Sequence, residues 1–196
     1  MMNLKEIWDV SDKEFYIQQD KNEWMHVLNL LEKITKEKGK LDILEIGAFD
    51  GGTTYSFSNF AKSLITLDII AICRFGGGRE NAEKSITKIK NNCSDYQYIG
   101  EDSHLENTFN KVKDKKYDVL FIDGDHSYEG VKQDFYMYRP LVKDNGVIIL
   151  HDVKECDLHK QLGCRVDILW KELQRDYKNT EEVSFKTCYG IGIIYL

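Results

Sequence analysis

Proline occurs once in 196 residues, and no Gly/Ser-rich or Pro-rich stretch breaks the chain. Without a linker, one domain spanning 1–196 is the expected organisation. Long apolar runs are also missing: nothing approaches the ~18 residues of a membrane span, and the start, MMNLKEIWDVSDKEF, lacks the apolar stretch of a signal peptide. The expected location is therefore cytoplasmic. No basic excess exists, since 27 Lys and Arg face 33 Asp and Glu for a net charge of −6, and non-specific nucleic-acid binding needs a basic face. A small-molecule partner is favoured over nucleic acid or membrane, with a homo-oligomer left open. Lysine clusters locally at Lys33, Lys36, Lys38 and Lys40 and again at Lys111, Lys113, Lys115 and Lys116, as solvated helix ends do.

CxxC spacing is absent too. Five cysteines, Cys73, Cys93, Cys156, Cys164 and Cys188, are an odd number and read as reduced thiols rather than as a disulfide framework. His151, Cys156, His159 and Cys164 have metal-ligand chemistry, but zinc sites bring their ligands in tight pairs and these are spread out. The expectation is two ordinary cysteines and a surface histidine. There is no internal repeat and no low-complexity segment.

What is present is an alternation of helical and strand-like periods, the pattern of a parallel α/β sheet. Trp24, Val27, Leu28, Leu31 and Ile34 fall on one helical face, and that helix ends near Gly39. The apolar run Leu41–Ile46 predicts a buried first strand; 53–61 predicts a helix capped by Thr53 or Thr54, and SLITLD a second strand ending at Asp68. Three successive glycines, Gly76 to Gly78, suggest a mobile loop before a helix over 80–90. Strands are predicted over 96–100, 117–123 and 146–152, and helices over 128–141 and 166–177. Two closing strands, 183–187 and 191–195, joined by CYGIG, predict an antiparallel hairpin.

Four constellations carry chemistry. Glu45-Ile46-Gly47-Ala48-Phe49-Asp50-Gly51-Gly52 is a glycine-containing turn between strand and helix, suited to close approach of a ligand, although Phe49 takes the place of a second glycine and the spacing is not GxGxxG. Asp68 stands about twenty residues further on, where a strand-end carboxylate can hold ribose hydroxyls. Asp123-Gly124-Asp125-His126 and His151-Asp152 end the fourth and fifth predicted strands, and in an open α/β sheet such positions converge on one crevice. Carboxylates with histidines there suit a divalent cation, or a base that takes a proton from a hydroxyl.

LEIGAFDGGTT, LITLD, YIGEDS, YDVLFIDGDHSYEGVKQDF, LVKDNGVIILHDV and YGIGIIYL together resemble the successive motifs of class I S-adenosylmethionine-dependent methyltransferases. IDGDHSYEGVKQD is the most specific run. It is similar to the group of macrocin-type and related sugar or natural-product O-methyltransferases, and more distantly to catechol and caffeoyl-CoA O-methyltransferases. The resemblance implies a Rossmann-like α/β fold with a seven-stranded mixed sheet in the order 3-2-1-4-5-7-6, helices on both faces and a closing antiparallel hairpin. Position and composition make 1–40 an N-terminal helical segment expected to cap the site. It implies S-adenosylmethionine as cofactor, held by Glu45, Gly47, Phe49 and Gly51 at its methionine part, by Asp68 at the ribose, and by Asp102 and Ser103 near the adenine. It places a metal, magnesium or manganese, on Asp123, His151 and Asp152. His151 departs from the usual carboxylate there, and imidazole suits softer divalent ions than magnesium. The catalytic residues implied are His126, Asp123 and His151, with His126 first choice as the base because imidazole titrates near neutral pH.

The activity implied is methyl transfer to a hydroxyl of a sugar or other small molecule. Two alternatives stand beside it: an NAD-binding Rossmann oxidoreductase, opposed by the missing GxGxxG, and a cofactor-binding domain without catalysis. Nucleic-acid methylation is disfavoured by the acidic charge and by the absence of an Asn/Asp-Pro-Pro-aromatic motif.

Overall fold

The computed structural model describes residues 2–69 and 79–196. Helices α1 (Leu4–Phe15) and α2 (Lys21–Lys38) precede a sheet built from β1 (Leu41–Ile46), β2 (Ala61–Leu67), β3 (Asp95–Ile99), β4 (Tyr117–Ile122), β5 (Val142–His151), β6 (Thr180–Val183) and β7 (Ile191–Tyr195). Between the strands run α3 (Gly52–Ser58), α4 (Arg79–Asn92), α5 (Glu106–Asn110), α6 (Tyr128–Tyr138), α7 (Asp157–Gln161) and α8 (Val166–Asp176). The strand order is 3-2-1-4-5-7-6, as expected, with the first five strands parallel and β7 antiparallel to both β5 and β6. This is the Rossmann-like arrangement anticipated from the sequence.

Alternation along the central strands decides which helices cover which face. Ile43, Val119, Phe121, Val147 and Ile149 point into a core shared with α1, α2 and α3, centred on the fully buried Trp24. Its indole donates to Ser56 Oγ at 3.0 Å and meets Phe57 and Phe121 edge-on, so the ring is buried without leaving its N–H unpaired. Leu44, Ile46, Leu120, Ile122, Ile148 and Leu150 point the other way, against Phe135 and Tyr138 of α6 and Leu169, Trp170 and Leu173 of α8.

Helix α1 lies within the helical segment expected over 1–40, although its own bounds were not read from the sequence. A capping box starts it, with Asn3 Oδ1 accepting from Glu6 N at 2.8 Å and Glu6 accepting from Asn3 N at 3.1 Å. Ile7, Trp8 and Phe15 give it a buried stripe. Helix α3 begins one residue before the predicted Thr53 or Thr54, at a Gly51 N-cap with φ +87°. Neither threonine caps it, because both hydroxyls are drawn to Glu45. Helix α6 stops at Tyr138, and Pro140 sits in a 3-10 turn that carries the chain to Leu141. The sixth strand lies three residues earlier than the predicted 183–187. Residues past Val183 leave the sheet because the buried Glu23 carboxylate accepts from Phe185 N at 3.0 Å and from Gly190 N at 3.1 Å.

The cysteine expectation is corrected as well. Cys156 and Cys188 form a disulfide, while Cys93 and Cys164 are free and buried. Cys73 and the Gly76 to Gly78 loop lie outside the described residues. Among the described residues, no helix is long and apolar enough to cross a membrane.

Candidate active site

The strand order reverses direction between β1 and β4, and the carboxyl ends of the parallel strands open there into a cavity of about 800 Å³, the position where open α/β sheets bind ligands. Each chemically marked strand end reaches it. Gly47, Ala48 and Phe49 follow β1, Asp68 follows β2, Asp123 to Ser127 follow β4, and His151 with Asp152 ends β5.

The turn after β1 is tightly specified. Gly47 has φ +84°, and a Cβ there would overlap the backbone carbonyl oxygen of Asp123, so only glycine lets β1 and β4 close together at this level. Phe49 also takes positive φ, +48°. Asp68 Oδ2 accepts from Ala48 N at 2.6 Å and from Phe49 N at 2.9 Å. The β2 carboxylate thus ties the turn into shape while lining the cavity.

Glu45 is placed differently from the other expected cofactor residues. It is fully buried and does not line the cavity; its carboxylate accepts from Thr53, Thr54 and Thr66 at 2.5, 2.6 and 2.8 Å. Burial pushes its carboxyl up to about 7, against the pull of the three hydroxyls. Its role in the fold is to fasten α3 to β1 and β2. Gly51 likewise stands behind the cavity wall, at the start of α3.

Asp102 and Ser103 line the opposite end. Asp102 caps the next turn by accepting from His104 N at 2.9 Å. Ser103 is held twice by α6, its hydroxyl donating to Asp134 Oδ1 at 2.7 Å and its carbonyl accepting from Tyr138 OH at 2.6 Å. Asp134 is wholly buried, which pushes its carboxyl up to about 6. Sequence reasoning passed over Asp134, although its helical phase with Val131, Phe135 and Tyr138 marks it as inward-facing.

The chemically densest part of the cavity joins β4 to β5. Asp123, His126, His151 and Asp152 each bring a ligand atom within 4.8 Å of the others. Asp123 Oδ1 lies 3.0 Å from His126 Nε2 and 3.1 Å from His151 Nδ1; Asp152 lies 3.3 Å from His126 and 3.4 Å from His151. Asp152 holds φ +61°, a strained backbone of the sort found where function requires it. Burial alone would depress His151, but the Asp123 and Asp152 carboxylates outweigh it and raise the imidazole to about 9. His126 is raised chiefly by its bond to Asp123. Burial works against ionisation of Asp123, yet the two imidazoles hold it well below the usual carboxylate range.

Two further observations bear on a cation. His151 Nε2 and Asp152 Oδ1 are buried without a hydrogen-bond partner, which is costly unless something binds them. The donor set, two carboxylates and two imidazoles, fits a divalent ion of intermediate softness.

The linker between α1 and α2 closes the remaining side. Tyr16, Ile17, Gln18 and Gln19 line the cavity, and Gln19 Nε2 donates to Asp123 Oδ2 at 2.7 Å. Tyr189 stands against the other wall, stacked near-parallel to His151 with centroids 6.1 Å apart. Neither was singled out in the sequence, since a glutamine and a tyrosine in connecting segments carry no spacing signal. His159, expected at the surface, is buried, with Nε2 3.8 Å from Asp152 Oδ1.

A family model described as a methyltransferase domain matches residues 44–153, the stretch from β1 through β5 that supplies most of this cavity. Protein R132 of Acanthamoeba polyphaga mimivirus, itself uncharacterised, is 30% identical over 168 residues, covering 84% of this chain and 74% of its own length. A Staphylococcus aureus structure described as a caffeoyl-CoA O-methyltransferase superposes with a TM-score of 0.64 at 19% identity, over 99% of this chain and 93% of that one. MycE, a methyltransferase of the mycinamycin biosynthetic pathway in complex with Mg and S-adenosylhomocysteine, gives 0.63 at 14% identity, over 96% of this chain and 54% of that one. Those two structural likenesses are of fold.

Proposed function

Because the chain belongs to the methyltransferase-domain family, we propose that it binds S-adenosylmethionine and transfers the sulfonium methyl to a hydroxyl of a small molecule such as a sugar. The family membership displaces the oxidoreductase alternative, and the ionisable cluster on the cavity floor speaks against a domain that only binds. The observation that carries the reading is the meeting of Asp123 and His126 with His151 and Asp152 beside the Gly47 turn.

In this reading the methionine part of the cofactor lies along Gly47 to Phe49, the ribose hydroxyls exchange with the amide bonds now made to Asp68, and the adenine lies toward Asp102 and Ser103. Methyl transfer is an in-line displacement, so these residues serve to aim the sulfonium at the acceptor oxygen. His126, half-exposed and hydrogen-bonded to Asp123, accepts the acceptor hydroxyl's proton, while Asp123 stabilises the imidazolium that forms. His151 holds Asp123 from the other side. A divalent ion, magnesium or manganese, held by Asp123, His151 and Asp152 would supply positive charge that acidifies a bound hydroxyl. The α1–α2 segment, within residues 1–40, caps the cavity through Tyr16 to Gln19 and excludes water from the transfer.

Calorimetric titration with S-adenosylmethionine and with NAD, with and without magnesium or manganese, tests the first half. Micromolar binding of S-adenosylmethionine alone is expected, weakened at least tenfold in Asp68→Ala. Labelled-methyl transfer to a panel of hydroxylated acceptors tests the second half, with His126→Ala lowering kcat by about 10²-fold or more if the histidine is the base. Binding of NAD, or of neither ligand, overturns the proposal.

A further inference from the structure

One cluster takes no part in this chemistry. Cys156 caps the N-terminus of α7, accepting from His159 N at 3.4 Å. Cys188 reaches it from the segment between β6 and β7, 32 residues away in sequence. A ring nitrogen of His159 completes the group: the two sulfurs and that nitrogen all lie within 4.8 Å of one another. Neither cysteine lines the catalytic cavity.

His159 supplies an independent sign that a ligand belongs here. The residue is only 7% exposed, yet its Nδ1 is buried with no hydrogen-bond partner. Its Nε2 faces the Asp152 carboxylate only at 3.8 Å. A buried polar nitrogen left unpaired is costly, and the two sulfurs beside it, once reduced to thiolates, would make with the imidazole a donor set that zinc prefers. The sequence already contains half of that pattern as Cys156-x-x-His159; its other half is hidden by distance along the chain.

We infer that, with the disulfide reduced, Cys156, His159 and Cys188 form a zinc site that clamps α7 to the segment preceding β7, with a fourth position filled by water. An external phosphine supplies the two electrons that convert the disulfide into two thiols, while water supplies the two protons and the oxygen of the phosphine oxide formed; a dithiol supplies both electrons and protons and closes to its own disulfide. Zinc then displaces those two protons to solvent and bonds both sulfurs and the imidazole, with no further electron transfer. Tyr189, adjacent to Cys188, stacks on His151 and meets the His159 ring edge-on at 5.7 Å. Whichever bond joins Cys156 to Cys188 therefore fixes one wall of the catalytic cavity from behind.

Cobalt(II) reports this site separately from the Asp123 cluster, which contains no sulfur. Titrating the phosphine-reduced full chain with cobalt should give, at one equivalent, a near-ultraviolet sulfur-to-cobalt charge-transfer band with strong visible bands of a tetrahedral complex. The bands should be absent from the unreduced protein and from Cys188→Ser, and should persist in Asp123→Asn and Cys164→Ser. Zinc should likewise shield two thiols of the reduced chain from alkylation, a readout that holds even if Cys188→Ser folds poorly. No sulfur band and no shielding in the reduced wild type, or a band that survives Cys188→Ser or vanishes in Cys164→Ser, overturns the inference.

Discussion

Gly47 and Glu45, two residues apart, show how much of the site is set by single side chains. The Gly47 backbone is left-handed and in contact with the Asp123 carbonyl, so Gly47→Ala combines backbone strain with displacement of β4. We expect it to lower unfolding free energy by about 3 kcal/mol or more in urea denaturation. Glu45 answers three buried threonine hydroxyls at once. Its truncation in Glu45→Ala orphans all of them, with an expected loss of about 2–4 kcal/mol. Glu45→Gln, which keeps an acceptor and needs no charge, should cost clearly less, because burial already holds the carboxyl near neutrality. Equal losses in the two variants would show that the hydrogen bonds, as drawn, are not what fastens α3.

Among the elements, the α1–α2 linker stands apart because it is tied to the site by side chains rather than by the sheet. Gln19 holds Asp123, Ile17 abuts Gly52 at the start of α3, and Lys186 pairs with Asp20 at 2.7 Å. Gln19→Ala should speed proteolytic cleavage within residues 16–20 and lower stability by about 1–2 kcal/mol, as loss of a charge-assisted hydrogen bond does. Unchanged cleavage would mean that packing of Ile17 alone keeps the linker seated.

Elements of this molecule were legible where their pattern is long or their burial complete. The mostly apolar runs of β1, β2, β4 and β5 marked them as central strands, and the ends of β2, β4 and β5 carried Asp68, Asp123, His126, His151 and Asp152 to the cavity rim as the spacing required. Helix α1 was legible in principle through Asn3 and Glu6, but its buried stripe is sparse. Helices α5 and α7, five residues each, are shorter than any period can announce. The pairing of Cys156 with Cys188 and the reach of Glu23 to Phe185 and Gly190 are contacts between distant segments, on which local periodicity is silent. The bonds of Glu45 were hidden for a related reason: the threonines that claim its carboxylate come from α3 and β2, and no local pattern announces that meeting.

For the molecule as a whole, the Asp123 cluster makes stability depend on pH in a defined sense. His151 titrates at about 9 in the folded chain against an ordinary 6.5, so its contribution is fully present below pH 6.5 and is lost as pH rises through 9. Asp123, depressed when folded, contributes above the ordinary carboxylate range and loses that contribution on acidification. Metal-free protein should therefore become less stable between pH 6.5 and 9 in denaturant titrations, and His151→Asn should flatten that slope. The magnesium or manganese ion proposed above would compete with the His151 proton, so its binding should strengthen over the same interval. A stability curve that rises toward pH 9 would contradict the ion pairing described here.

The sheet ends at β3 on one side and at β6 on the other. Strand β6 has only four residues, and its acidic side chains are already engaged: Glu181 with Tyr195 OH at 2.7 Å and with His26 at 2.9 Å, Glu182 with the Trp170 indole at 2.8 Å. A short, charged border is a poor template for another chain's backbone. At the β6 rim, a second copy meeting this one in a crowded solution finds little on which to extend its own sheet, and the seeding of ribbon-like aggregates is disfavoured on that side.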